Sequence, residues 1–186
     1  FKGSLTGTGI MASNATGRRI AGQSPRVDVA GDYNRDTGAV TLDPSTARLA
    51  KGRIAASGAI SIREKTLDVQ ARLQQVSGLL SSAPDLSATG SLAVTGPFAA
   101  PSIVADVNAH GINEMNATAA KAFGNIARLR ATVQKTDSSY RVRTARIDGD
   151  NVSLSLSGTY APGGVANLSG QFTQSDAIPI SGSAID

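Results

Sequence analysis

The stretch LSLSGTY, residues 154–160, alternates apolar and polar side chains and sets a glycine on the apolar side. Successive residues of an extended strand point to opposite faces. Leu154, Leu156, Gly158 and Tyr160 therefore share one surface, while Ser155, Ser157 and Thr159 take the other. The same phrase (apolar, any, apolar, any, Gly, any, apolar) recurs at Val27, Val29, Gly31 and Tyr33, and at Ile54, Ala56, Gly58 and Ile60. It recurs again at Leu86, Ala88, Gly90 and Leu92, and with a small first residue at Ala166, Leu168, Gly170 and Phe172. Glycine weakens a strand and has no side chain to pack, so on an apolar face it marks a bend or the close approach of another group. Repetition of the device predicts an all-β antiparallel meander, curled into an open half-pipe with an apolar concave face.

Matching apolar faces registers the hairpins. Ile62 pairs with Leu67 across Arg63, Glu64, Lys65 and Thr66, which sets Gly58 opposite Ala71 and Ala56 opposite Leu73. Tyr33 and Gly31 face Val40 and Leu42 across a turn running from Asn34 to Gly38. Val94 and Gly96 face Ile103 and Ala105 around a loop bounded by Pro97 and Pro101. Leu129, Ala131 and Val133 face Val142 and Tyr140, and Tyr160 pairs with Ala166 around an odd-numbered glycine loop. At most one or two short helical turns are expected. One spans residues 114–123, with Met115, Ala119 and Phe123 on one side, and a second spans residues 75–82. About twelve to fourteen strands at ~4.8 Å spacing would extend roughly 60 Å. Residues 1–186 show no internal boundary. They begin at Phe1 and end just after a strand-like run at 178–185, which reads as one segment of a longer repetitive array.

Composition narrows the function. With no cysteine, disulfides and thiolate metal sites are excluded. A net charge of +4 with only 17% charged residues is a mild basic bias, far from a nucleic-acid footprint. Aromatic residues make up 4% and tryptophan is absent, so stacking platforms for bases or sugars are scarce. No apolar run is long enough to span a bilayer as a helix. No nucleic acid and no cofactor are expected.

Several residue patterns suggest chemistry and are better explained by structure. Asp32, Asn34, Asp36, Gly38 and Asp43 resemble a calcium loop, but the glycine is one place late and no helices flank it. A polar hairpin turn accounts for them. Gly7, Gly9 and Ala12 approximate a dinucleotide fingerprint, with no apolar helix following. His110 is the single histidine, and alternation sets it with Asp106 and Asn108 on the polar face. There is no nucleophile elbow, histidine pair or phosphate loop, so the chain is expected not to be an enzyme. Arg128, Arg130, Arg141 and Arg143 gather on the polar side of one hairpin, either as a solvated face or as a surface for anionic headgroups or an acidic partner. Phe98, between Pro97 and Pro101, is expected to pack locally.

The stretch DLSATGSLAVTGPFAAPSIVADVNAHGI, residues 85–112, resembles the repeating phrase of the TamB and AsmA-like superfamily of Gram-negative bacteria. That phrase is a glycine-containing strand, an apolar strand ending in Gly-Pro, a proline-terminated loop, then a strand closing on glycine. VSLSLSGTYAPGGVANLSGQF, residues 152–172, is similar, as is the region around residues 53–80. The resemblance implies a β-taco in the periplasm, tethered to the inner membrane by an anchor outside this chain. It further implies an apolar groove conducting phospholipid acyl chains toward the outer membrane, and a BamA-type partner engaged through regions also outside this chain.

The residues expected to line the groove are Val29, Gly31, Ile60, Ile62, Val69, Leu92, Val94, Val107, Val133, Val142, Leu154, Leu156 and Leu168. Burying methylenes is worth about 0.8 kcal/mol each, so an even apolar surface replaces bilayer contacts without a single deep well. A second expectation is a structural or chaperone scaffold whose sheet edge adds strands of outer-membrane proteins by β-augmentation, near residues 1–11 or 178–185. A parallel β-solenoid adhesin fits poorly, because the matched registers are antiparallel.

Overall fold

The computed structural model describes residues 2–8, 18, 25–78, 85–162 and 165–175. Eleven strands form one open sheet in chain order, each antiparallel to the next. They are β1 (Lys2–Thr8), β2 (Arg26–Asn34), β3 (Ala39–Leu49), β4 (Gly52–Ser61), β5 (Thr66–Ser77) and β6 (Ser87–Pro97). After them come β7 (Ser102–His110), β8 (Ile126–Lys135), β9 (Tyr140–Asp148), β10 (Val152–Ala161) and β11 (Val165–Gln174). The meander is thus borne out, with fewer strands among the described residues than the twelve to fourteen expected; the run at 178–185 lies outside them.

Hairpins alternate between two rims. At one rim the connections β2–β3, β4–β5, β6–β7, β8–β9 and β10–β11 are short turns. These turns are stitched to their neighbours: Ile62 N–H donates to the Gly38 carbonyl (3.0 Å), Phe98 N–H to Lys65 (2.8 Å) and Lys135 N–H to Pro101 (2.9 Å). The opposite rim carries a short α-helix, α1 (Ala117–Phe123), preceded by a 3-10 turn at Ile112–Glu114. The continuous helix expected over 114–123 is therefore broken. The Asn116 side chain caps α1 by accepting from Ala119 N–H (2.7 Å), which forces an extended backbone just before it. The β9–β10 connection holds the helix in place: Asn151 Nδ2 donates to the Lys121 carbonyl (2.7 Å) and Asn151 N–H to Ala122 (3.0 Å). The turn expected at 75–82 is strand through Ser77, and residues 79–84 lie outside the described set.

The glycine phrase has a specific partner that the sequence does not announce. Gly58, Gly90 and Gly158 lie opposite Leu42, Leu73 and Val142, and directly after each of those residues the preceding strand gains one extra residue. The extra residues fall at Asp43–Pro44 in β3, Gln74–Gln75 in β5 and Arg143–Thr144 in β9. Such bulges bend a strand and raise its twist. Pro44 is tolerated there because no ladder bond is required of it. Buried Ser45 fills the interruption, its Oγ accepting from Ala30 N–H (3.2 Å) and donating to the Asp43 carbonyl (2.9 Å).

Two-residue slips correct parts of the expected register. Ile60, not Ile62, pairs with Leu67, so Gly58 meets Val69 and Ala56 meets Ala71. Alternation cannot distinguish registers two residues apart, since both keep the apolar face matched. Ile62 is consequently in the turn and 55% exposed. Val94 pairs with Ile103, and Ala105 meets Leu92, not Gly96. Val133 meets Val142, while Tyr140 meets Lys135. The Tyr33–Val40, Gly31–Leu42 and Tyr160–Ala166 pairings are as expected.

Candidate functional site: an uncovered apolar sheet face

Following cross-strand partners from β3 to β11 yields three apolar rows running along the sheet. The first is Leu42, Gly58, Val69, Val94, Ile103, Val133, Val142, Gly158 and Leu168. The second is Ser45, Ala56, Ala71, Leu92, Ala105, Ala131, Ala145, Leu156 and Gly170. The third is Ala47, Ile54, Leu73, Gly90, Val107, Leu129, Ile147, Leu154 and Phe172. The middle row is built mostly of alanine and is flanked by rows rich in branched aliphatics.

Twelve of the thirteen residues expected to line the groove lie on this face. Val69, Val94, Val133, Val142 and Leu168 are in the first row, Leu92 and Leu156 in the second, Val107 and Leu154 in the third. Gly31, Val29 and Ile60 continue the face through their pairings with Leu42, Leu5 and Val40. Ile62 is the exception, displaced into the turn. Leu42, Ile54, Leu73, Ile103, Leu129, Ile147 and Phe172 belong to the same face and are absent from the expected lining. Stepping two residues along each strand finds most of them; Ile147 lies beyond a bulge that carries no sequence signal.

No second layer covers this face among the described residues: no strand makes more than marginal contact with any element beyond its neighbours in the sheet. Most of its side chains are half-buried, and Leu129, Leu168 and Phe172 are exposed. The well-buried apolar residues are Val76, Ala88, Ile112, Ala122, Ala127 and Val152, all at the rim closed by α1. The core is therefore a seam at one rim. From β3 to β11, eight intervals at ~4.8 Å give rows about 38 Å long, and three rows roughly 6.6 Å apart make an apolar patch of several hundred Å², at the upper end of what a soluble monomer ordinarily exposes.

The opposite face is polar, and several of its charges pair with one another. Arg128 binds Asp106 through Nε (2.9 Å) and Nη2 (2.7 Å). Asp148 accepts from Arg130 (2.7 Å), Arg146 (2.7 Å) and Ser153 (2.8 Å). These donors, Arg130 first, hold the Asp148 carboxyl far below the usual carboxylate range, and Arg128 does the same more mildly for Asp106. Arg143 donates to Gln134 (2.8 Å). Three of the four arginines noted in the sequence thus have partners on the sheet, which favours the solvated-face explanation. Two clefts open here, of about 490 Å³ beside Arg143, Arg146, Ser155 and Gln171, and about 340 Å³ beside Ser57, Gln70, Arg72 and Asp106.

The remaining candidates have local explanations. Asn34 Oδ1 accepts from Asp36 N–H (2.9 Å) and Thr37 N–H (3.2 Å), an Asx turn that organises the β2–β3 hairpin. His110 Nε2 bonds Thr89 Oγ1 (2.8 Å) across the strands. Phe98 is 41% exposed in its turn. Gly7 pairs with Val27 within the β1–β2 ladder, while Gly9 and Ala12 lie outside the described residues. Among the described residues no three His, Cys, Asp or Glu side chains converge as a metal cluster, and no helix is long and apolar enough to cross a membrane. Comparisons with protein-family models, characterised proteins and solved structures find no match.

Proposed function

We propose that this chain is a non-enzymatic segment of a periplasmic bridge, similar to the TamB and AsmA-like proteins, whose apolar face shields phospholipid acyl chains in transit between inner and outer membranes. The observation that carries the reading is the uncovered apolar face, continuous over all three rows from β3 to β11. From β4 to β11 every position of the three rows is apolar or glycine, so an acyl chain would meet no polar side chain along them. Desolvation strongly penalises a charge set among these rows.

Leu92→Arg and Leu156→Asp test the proposal, because both positions lie in the middle row. Each variant should fold, by urea titration and circular dichroism, yet lose co-purifying phospholipid in native mass spectrometry. Folded variants that retain lipid at wild-type levels would sink the reading. A second reading has its own observation: among the described residues β1 and β11 each pair on one side only, and on β11 both Leu168 and Phe172 are exposed. Such edges accept an added strand. Photo-crosslinkers on β11 that capture an outer-membrane protein, with no lipid adduct, would favour this scaffold function.

A further inference from the structure

We infer that the apolar face is polarised along its strands: a bound phospholipid lies with its phosphate at the short-turn rim, against Lys135, Tyr140 and Tyr160, and its tails toward the rim closed by α1. The inference deepens the lipid-shielding reading and rests on it.

The chain contains three tyrosines, and all three fall on the apolar face in its last row before the short turns. Tyr33 is 40% exposed and Tyr160 is 44% exposed. Tyrosine offers an apolar body and a polar tip, which suits the boundary between hydrocarbon and water. Lys135 pairs with Tyr140, and Tyr140 with Tyr160, so an ammonium and two phenols stand side by side across three strands. Lys135 is the one charged residue that the paired strand positions put on the apolar face among the described residues. An ammonium with three donors, flanked by hydroxyl donors, matches the acceptor oxygens of a phosphodiester. The turns beyond this row mix cations (Arg35, Arg63, Lys65) with acids (Asp36, Glu64, Asp137), so the rim has little net charge. Phosphate recognition therefore falls to Lys135.

The other rim has the opposite character. Val76, Ala88, Ala127 and Val152 end their strands there as buried residues, beside Ile112 and Ala122 of the helical segment. A headgroup directed that way would lose its water against these buried side chains, since the cations of that rim, Lys51 and Lys121, lie exposed to solvent and Lys51 is already paired with Asp85 (3.0 Å). Strand β10 carries Val152 at this end and Tyr160 at the other, eight residues apart. Eight residues span about 26 Å, more than the roughly 15 Å that the tails of one bilayer leaflet occupy. The strands are thus long enough to hold a lipid lengthwise between a polar rim and a dry one.

Two photoreactive phosphatidylglycerols test this on the intact chain, one with a benzophenone on the headgroup and one with a diazirine at the acyl terminus. Adduct positions are read by peptide mass spectrometry. Headgroup adducts are expected at residues 133–142 and 158–162, and acyl-terminal adducts at residues 127–131 and 152–156. Lys135→Glu should weaken phosphatidylglycerol binding about tenfold, the usual worth of one charge-assisted hydrogen bond, and leave diacylglycerol binding unchanged. Lys135→Arg should restore it. Reversed labelling, or labelling by both probes at both rims, overturns the polarity and leaves lipid binding intact. Absence of adducts from either probe on folded protein overturns lipid binding and the polarity with it.

Discussion

Gly90 carries more of the architecture than its missing side chain suggests. Its φ of +148° is disfavoured for any L-residue, and a Cβ there would run into the Asp106 carbonyl oxygen and come within 2.7 Å of Val107 Cα. The glycine thus does not leave room on the apolar face for a ligand, because its absent substituent points at the neighbouring backbone. It permits a bend beside the bulge at Gln74–Gln75. Gly90→Ala should destabilise the chain by about 1–3 kcal/mol, the usual cost of forcing a residue into a sparsely populated conformation. Ser57→Ala, on the polar face, should be nearly neutral. Urea denaturation of the two variants checks the contrast, and equal midpoints would remove the bend from the account.

The β7–β10 portion is joined across its polar side by Arg128–Asp106 and by Asp148 with its three donors. Because partners lower both carboxyl pKa values in the fold, their stabilisation is complete above the unfolded carboxylate range. It is lost as pH falls through the folded values. Wild-type protein should therefore lose stability on acidification below about pH 4, and Asp148→Asn should flatten that dependence while lowering stability at neutral pH. Thermal melts across pH would show this; a parallel acid profile in the variant would exclude Asp148 as its source. These strands also show what sequence reading can reach. The apolar and polar sides were legible because alternation survives any even register slip. The Ile60–Leu67 pairing and the turn position of Ile62 were not, for the same reason. The bulge at Arg143–Thr144 was silent because neither residue type is diagnostic of one. The apolar lining was largely readable, whereas the Lys135, Tyr140 and Tyr160 row emerges only once three strands are aligned.

Across the whole molecule, stabilising contacts are unevenly distributed. The buried apolar side chains are confined to the rim under α1, and no side chain as large as leucine is fully buried in the described structure. The three central rows retain partial contact with water, so much of the hydrophobic contribution available to this sequence is unrealised in the free chain. A ligand that covers those rows binds the folded sheet and has no equivalent surface in the unfolded chain. Linkage then adds about 2.7 kcal/mol when free ligand stands at a hundredfold its dissociation constant. For a chain of 186 residues that corresponds to a rise in Tm of roughly 5–11 °C. Phosphatidylglycerol supplied in mixed micelles should produce this shift relative to the same detergent alone, and delipidation should reverse it. Leu92→Arg should abolish the shift while keeping a cooperative melt, since the arginine interrupts the middle row without disturbing a bulge or a helix cap. A wild-type Tm indifferent to lipid, measured on protein shown to be lipid-free at the start, would mean that the apolar face is covered by something other than acyl chains.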